Sequence, residues 1–297
     1  MSTRRIEVAC VLDLTGGSDV DYALFFAILL VSMARNHRSG EPLRVWVLCR
    51  GVQPEVRSRI EAPLAGSGMD VEWLEIEDET LERLAIAEVY RRLTPHYLKL
   101  IIPDLLPPDM SRVLYFDTDF LVLGEVSRLW SVDLGGAVAG CCADPFQRTL
   151  GRSSIRPDCS LAERLEFLRG RGLDPEASYL NSGVMLIDLP RWRQEEIKRR
   201  VVEYSMQYPA RNQEQDGLNV ILAGRWRKLD SPWNVYPRLA EAFDEPPPEL
   251  PYAIHFAWYK PTEEDYVSRY VESPSKVVFQ RLFFEYLDQT SFSGGAR

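Results

Sequence analysis

Arg112-Val113-Leu114-Tyr115-Phe116-Asp117-Thr118-Asp119-Phe120-Leu121-Val122-Leu123 is the stretch on which the reading of this chain turns. Arg112–Phe116 is short and nearly all apolar, which predicts a strand buried on both faces of a parallel sheet. Two carboxylates follow it directly, inside an otherwise apolar passage. With 19 aspartates among 297 residues, about one Asp-x-Asp is expected by chance, so spacing alone decides nothing. A second one, Asp19/Asp21, stands before a helical pattern, where capping and hydration account for it. Asp117 and Asp119 sit instead at the carboxyl end of a buried strand, the end at which open α/β sheets bind ligands. Charges there are costly unless a cation or hydrogen bonds compensate them. Residues i and i+2 of extended chain share a face, so both side chains can reach one hard divalent ion. The structural alternative is an ion pair with Arg112 or Arg128.

Upstream, strands are expected at Ile6–Leu12, Leu43–Cys49 and Val71–Ile76. Helical patterns alternate with them, from about Val20 to Arg35, Pro54 to Leu64, Glu79 to Leu93, and Thr94-Pro95 to Ile102. Asp19 or Asp21 would cap the first helix. This alternation implies an α/β fold with a mostly parallel, Rossmann-like central sheet flanked by helices. Downstream the pattern is less regular. Ala137–Cys142 and Val184–Ile187 read as strands, and Ser160–Arg169, Arg191–Gln207 and Gln215–Leu222 as helices. Asp244–Pro251 reads as a Pro-rich surface loop, and Val277–Leu287 as a C-terminal aromatic helix whose Phe279, Phe283, Phe284 and Tyr286 belong in a core. One domain over residues 1–265, followed by a helix and tail at 266–297, is the expected organisation.

Composition narrows the function. The formal net charge is −9, which argues against a duplex binder relying on phosphate neutralisation. The longest apolar run, Tyr22 to Ala34, is too short for a bilayer, which needs about 20 residues. The first residues lack the apolar core of a signal peptide. Five cysteines without a Cys-x-x-Cys spacing read as free thiols in a reducing cytoplasm. P-loop and dinucleotide glycine patterns are absent from the sequence. A phosphatase of the haloacid-dehalogenase type also uses a strand-end Asp-x-Asp. It calls for Thr or Val where this chain has Leu121, and for a later Gly-Asp that the sequence lacks.

Residues Pro95–Pro107 together with Arg112–Asp119 resemble glycosyltransferase family 8. Further blocks follow in that family's order. Tyr179-Leu180-Asn181-Ser182-Gly183-Val184-Met185-Leu186-Ile187-Asp188-Leu189-Pro190-Arg191-Trp192-Arg193 is similar to its Asn-Ala-Gly block. Asn212-Gln213-Glu214-Gln215-Asp216-Gly217-Leu218-Asn219, with Leu229–Asn234 after it, resembles its Asp-Gln-Asp block. Ile254-His255-Phe256-Ala257-Trp258-Tyr259-Lys260-Pro261 resembles its final His/Lys-Pro block. The resemblance runs from about Ile6 to Pro261.

It implies a GT-A fold and transfer of a hexose from a UDP-sugar to a carbohydrate or other hydroxyl-bearing acceptor, with retention of configuration. It implies Mn²⁺, with Mg²⁺ the alternative, bound by Asp117, Asp119 and His255. An imidazole ligand tilts preference towards Mn²⁺, and the ion would act as Lewis acid on the departing diphosphate. Lys260 would add a cationic contact to that diphosphate. Asp13, Tyr22, Lys99 and Thr118 match donor-binding positions, and Asn181, Ser182 and Gly183 the sugar-facing ones. Glu214, Gln215 and Asp216 match the acidic cluster on the β-face of the donor sugar, where a group acts as nucleophile or stabilises an oxocarbenium-like centre. Plainer readings stand beside these: a turn cap for Asp13, a turn before a strand for Asn181-Ser182-Gly183, and a helix start for Glu214. His37 and His96 are left as structural residues. Lys99 replaces an Arg of the family pattern, Glu214 an Asp and Thr262 a Trp, and Trp258 stands near the usual Gly. These departures keep open a GT-A module that binds without turnover. A homodimer is also left open; no nucleic-acid partner is expected.

Overall fold

The computed structural model describes residues 5–16, 21–92, 95–153, 160–208, 212–237, 251–257, 260–262 and 274–294. In chain order the first elements are β1 (Ile6–Asp13), α1 (Tyr22–Asn36), β2 (Leu43–Arg50), α2 (Pro54–Glu61), β3 (Met69–Glu75), α3 (Asp78–Arg83) and α4 (Ala87–Arg92). Then come α5 (Ile102–Leu105), β4 (Arg112–Phe116), β5 (Phe120–Val122), α6 (Val126–Trp130), β6 (Ala139–Ala143) and α7 (Leu161–Gly170). The rest are β7 (Leu180–Asp188), α8 (Leu189–Gln194), α9 (Ile197–Gln207), α10 (Gln213–Ile221), β8 (Trp226–Lys228), β9 (Ala253–His255) and α11 (Pro274–Leu287). The strands form a mostly parallel seven-stranded sheet of order β3-β2-β1-β4-β7-β6-β8 and a two-stranded sheet of β5 and β9, with helices flanking them. The chain divides into two compact units. The first is Met1–Glu75, Phe116–Val132 and Ser231–Arg297, and the second Ile76–Tyr115 and Asp133–Asp230.

In the first unit β1 pairs in parallel with β2, and β2 with β3. α1 is apolar on every side because it is buried on every side, from Ala23 to Met33. Asp21 caps it by accepting from the backbone N–H of Leu24 at 3.0 Å. The apolar run is thus a core helix, and among the described residues no helix is long and apolar enough to cross a membrane. α11 belongs to the same core. Its Phe283 ring lies 5.1 Å from Phe25 and 5.3 Å from Phe256, as the aromatic spacing predicts. Burying one such ring stabilises by about 1.5–3 kcal/mol.

In the second unit β6 pairs antiparallel with β7 and parallel with β8, with a register shift between Cys141 and Cys142. A core of Leu150, Phe167, Leu168, Tyr179, Tyr204 and Val220 lies beside them. Ser160 and Glu163 form a capping box at the start of α7. Gly217 lets α10 approach α9 closely, since a Cβ there would stand 2.8 Å from Val201 Cγ1 and 3.0 Å from Ser205 Oγ.

Several expected elements are cut differently. The helix expected over Glu79–Leu93 is two, α3 and α4, because Ala85 turns into the left-handed region at φ 57°. Arg191–Gln207 likewise splits into α8 and α9 at Glu196, φ 52°. The Thr94-Pro95 helix is a 3₁₀ segment, Pro95–Ile101, leading into α5. β7 starts four residues before the expected Val184, at Leu180. Asp19, Thr94, Cys159, Trp258 and residues 244–250 lie outside the described residues.

Candidate active site

The singled-out residues fall into two groups, one in each unit. In the first unit, Asp117 and Asp119 occupy the turn between β4 and β5, with Thr118 partly exposed between them. β5 then pairs antiparallel with β9, setting Phe120 opposite His255, and the N–H of Phe256 donates to the Asp119 carbonyl at 2.9 Å. This pairing is what brings a histidine more than a hundred residues away in sequence to the Asp-x-Asp. One ligand atom from each of Asp117, Asp119 and His255 lies within 4.8 Å of the others. His255 Nε2 is 3.3 Å from Asp119 Oδ1 and 4.0 Å from Asp117 Oδ2. On its other side, His255 Nδ1 is 2.9 Å from Asn234 Oδ1. The imidazole is stacked on Phe120, centroids 4.1 Å apart, and touches Tyr236 at 4.8 Å.

Lys260 is buried beside this triad. Its ammonium donates to Asp119 Oδ2 and, at 2.8 Å, to the Phe256 carbonyl, and sits 5.5 Å from the Tyr22 ring centroid and 5.1 Å from that of Phe25. Burial would raise the Asp119 carboxyl, but Lys260 and His255 outweigh it and hold the group well below the usual carboxylate range. Asp119 is therefore a carboxylate. Two carboxylates and one imidazole converging this closely are a donor set that could hold a divalent ion. Arg128, an alternative partner on the sequence, lies over the Tyr252 ring instead. Asp13, at the end of β1, accepts from the N–H and hydroxyl of Thr15 at 2.9 and 2.6 Å, so it does close the turn there.

The second unit gathers the other candidates along β7 and the start of α10. Gln215 Oε1 accepts from Asn181 Nδ2 at 3.0 Å and from the Ser182 N–H at 2.9 Å, and Asn181 Oδ1 accepts from the Gly183 N–H at 3.0 Å. Lys99 and Glu214, the two residues that depart from the family pattern in this unit, are partners. Their charged ends are 3.0 Å apart with side chains 2% and 5% exposed. Ser182 Oγ donates to the same Glu214 oxygen at 3.1 Å, and Lys99 lies 5.0 Å from the Tyr115 ring centroid. Burial would raise Glu214, but Lys99 first, then His96 and Ser182, bring it below its ordinary value. Asp216 is fully buried, accepting from the Tyr179 hydroxyl on one oxygen and from the Asn212 N–H on the other, at 2.9 Å. Burial and Asp216 push the Tyr179 hydroxyl well above its ordinary range, so it stays a donor.

Asp144 is the residue the sequence reading missed. Its Oδ2 receives Asn181 Nδ2 at 3.0 Å and Gln215 Nε2 at 3.2 Å, while its Oδ1 caps the N–H groups of Phe146 and Gln147. The signal available was the turn-forming Asp-Pro at the end of β6. The described thiols are buried, which favours the protonated form over the reactive thiolate. Burial pushes Cys49 and Cys142 up to about 12, and Cys10 and Cys141 further.

Comparison with known proteins places the chain in a family and a fold. The model of glycosyl transferase family 8 matches residues 14–261. General stress protein A of Bacillus subtilis (strain 168) is 26% identical over 223 residues, 73% of this chain and 71% of that protein. "Probable galacturonosyltransferase-like 3" of Arabidopsis thaliana is 33% identical over 129 residues, 40% of this chain but only 34% of the plant protein. Among solved structures, the galactosyltransferase LgtC in complex with donor and acceptor sugar analogues superposes with a TM-score of 0.68 at 22% identity, covering 95% of this chain and 96% of that one. At that identity the likeness establishes the fold, which is GT-A.

Proposed function

Because the chain belongs to glycosyl transferase family 8, we propose that it is a retaining hexosyltransferase that uses a UDP-sugar and a divalent ion, Mn²⁺ before Mg²⁺. The convergence of Asp117, Asp119 and His255 within 4.8 Å is the observation that carries this reading. These three residues would hold the ion, which supplies Lewis-acid stabilisation of the diphosphate leaving group. Lys260 keeps an ammonium beside Asp119, a direct counter-charge for a phosphate oxygen. Thr118, Asp13 and Tyr22 line the same unit and are read as nucleotide contacts.

In the second unit Asn181, Ser182, Gly183 and Gln215 offer the neutral donors and acceptors that sugar hydroxyls require. Glu214 remains a carboxylate because Lys99 compensates it, the charge state that a nucleophile or an oxocarbenium stabiliser needs. Asp216, with both oxygens occupied by Tyr179 and Asn212, is assigned a positioning role at the start of α10. The acceptor is a hydroxyl-bearing molecule, carbohydrate foremost. Among the described residues Cys10, Cys49, Cys141 and Cys142 are free and buried, which supports a reducing, cytoplasmic setting.

The test is incubation with UDP-glucose, UDP-galactose and UDP-N-acetylglucosamine, with and without Mn²⁺, following UDP release and the anomeric proton of any product by NMR. Metal-dependent UDP release and an α-linked product are expected. A β-linked product contradicts retention. A module that binds without turnover releases no UDP from any donor.

A further inference from the structure

A histidine can bind a metal through Nε2 only if that nitrogen presents a lone pair, so the neutral ring must carry its proton on Nδ1. In water neutral imidazole favours the opposite tautomer, with the proton on Nε2. For His255 that tautomer would aim an N–H into the space between Asp117 and Asp119, where the ion has to sit. Something in the fold must therefore set the tautomer.

We infer that Asn234 is a positioning residue for the metal centre: its amide oxygen accepts the Nδ1 proton of His255 and leaves Nε2 facing the two carboxylates as a ligand. The inference rests on the metal-binding reading above and extends it to a residue outside the donor set. Asn234 Oδ1 is 2.9 Å from His255 Nδ1, and both side chains are buried, at 6% and 3% exposure, so water does not compete for this contact. An amide oxygen only accepts, so the proton of that bond belongs to Nδ1. The opposite nitrogen is the one 3.3 Å from Asp119 Oδ1.

Asn234 is itself fixed. Its N–H donates to the Ser231 carbonyl at 3.0 Å, and the next residue, Val235, accepts from the His255 N–H at 2.9 Å. That backbone bond holds the amide level with the ring. Phe120 stacked on the ring at an interplanar angle of 22°, and Tyr236 at 4.8 Å, prevent it from flipping. Partners of this kind typically change metal affinity 10–100-fold.

Two measurements test the inference without relying on turnover. Nitrogen NMR of the ¹⁵N-histidine-labelled, metal-free chain, recorded where the His255 ring is neutral, is expected to give a protonated Nδ1 and a bare Nε2 for His255, and the opposite tautomer in Asn234→Ala. A bare Nδ1 there overturns the inference whatever the metal does. Titration with Mn²⁺ alone, followed by the loss of free-ion EPR signal, is expected to give about 10–100-fold weaker binding in Asn234→Ala. Asn234→Asp, which keeps an acceptor oxygen and loses the N–H donors, should bind at least as tightly as wild type. Wild-type affinity in Asn234→Ala, or a loss in Asn234→Asp equal to that in Asn234→Ala, overturns it. A wild-type chain that takes up no Mn²⁺ instead overturns the metal-binding reading, while the proton on Nδ1 still reports on Asn234.

Discussion

Removing one member of the Lys99–Glu214 pair should cost far more than removing both. The charged ends are 3.0 Å apart and almost wholly buried. At that separation an effective dielectric of 20 gives an attraction of about 5 kcal/mol, opposed by the desolvation of both ions. Lys99→Met removes the group that lowers Glu214 most, leaving His96 and Ser182 against burial, so the carboxyl moves up. Glu214→Gln removes the carboxylate that faces the buried Lys99 ammonium, which has Ser182 and the Tyr115 ring among its neighbours. Each single change is expected to destabilise by about 3–5 kcal/mol, the usual result of breaking a buried ion pair from one side. The double variant Lys99→Met/Glu214→Gln should cost clearly less than the two singles added together. Urea unfolding of the four proteins closes the cycle. Singles costing under about 1 kcal/mol, or strict additivity, would refute the claim that these two departures from the family pattern compensate one another.

Gly217→Ala should destabilise by about 1 kcal/mol or more, even though alanine is the better helix former. The new Cβ would stand 2.8 Å from Cγ1 of the stiff, buried Val201. Urea unfolding checks it, and a stabilised variant would contradict the close packing of α9 and α10. Glu125 offers a pH test. Its carboxylate accepts from the Arg38 N–H and lies 2.7 Å from His37 Nδ1. Burial alone would raise it, but these partners lower it below its ordinary value. The unfolded chain then binds more protons near pH 4, so this contribution is present above about pH 4.3 and fades as pH falls through the lowered folded value. The stability gap between wild type and Glu125→Gln, measured by urea unfolding from pH 6 down to 3.5, should shrink with acidity. A gap independent of pH would remove the assignment.

Local chemistry explains which parts of the fold and site are legible in the sequence. Arg112–Phe116 stands out because an apolar run ends abruptly at Asp117, and β4 has those bounds. The helix breaks at Ala85 and Glu196 do not, since neither left-handed turn carries a Gly or Asn to mark it. Asp188-Leu189-Pro190 was a readable start for α8, an N-cap followed by proline, with Asp188 accepting from the Arg191 N–H at 2.9 Å. β7 extends back to Leu180 through Asn181 and Ser182, polar residues that interrupt the apolar pattern because Gln215 and Asp144 satisfy them. β9 has three residues and no periodicity to detect, so only the resemblance linked His255 to the Asp-x-Asp. Asp144 and Asn234 act by contacts across long stretches of chain, and neither leaves a spacing that composition or pattern can reveal.

Calorimetric titration of UDP with and without Mn²⁺, in wild type, Asp117→Asn and His255→Gln, addresses the metal centre most directly. Asp117 is chosen over Asp119 because replacing the latter would strand the buried Lys260 ammonium. Binding in wild type that requires Mn²⁺ and is lost in both variants, with their thermal unfolding preserved, is the predicted result. UDP affinity unchanged in both variants, or indifferent to Mn²⁺ in wild type, would contradict it.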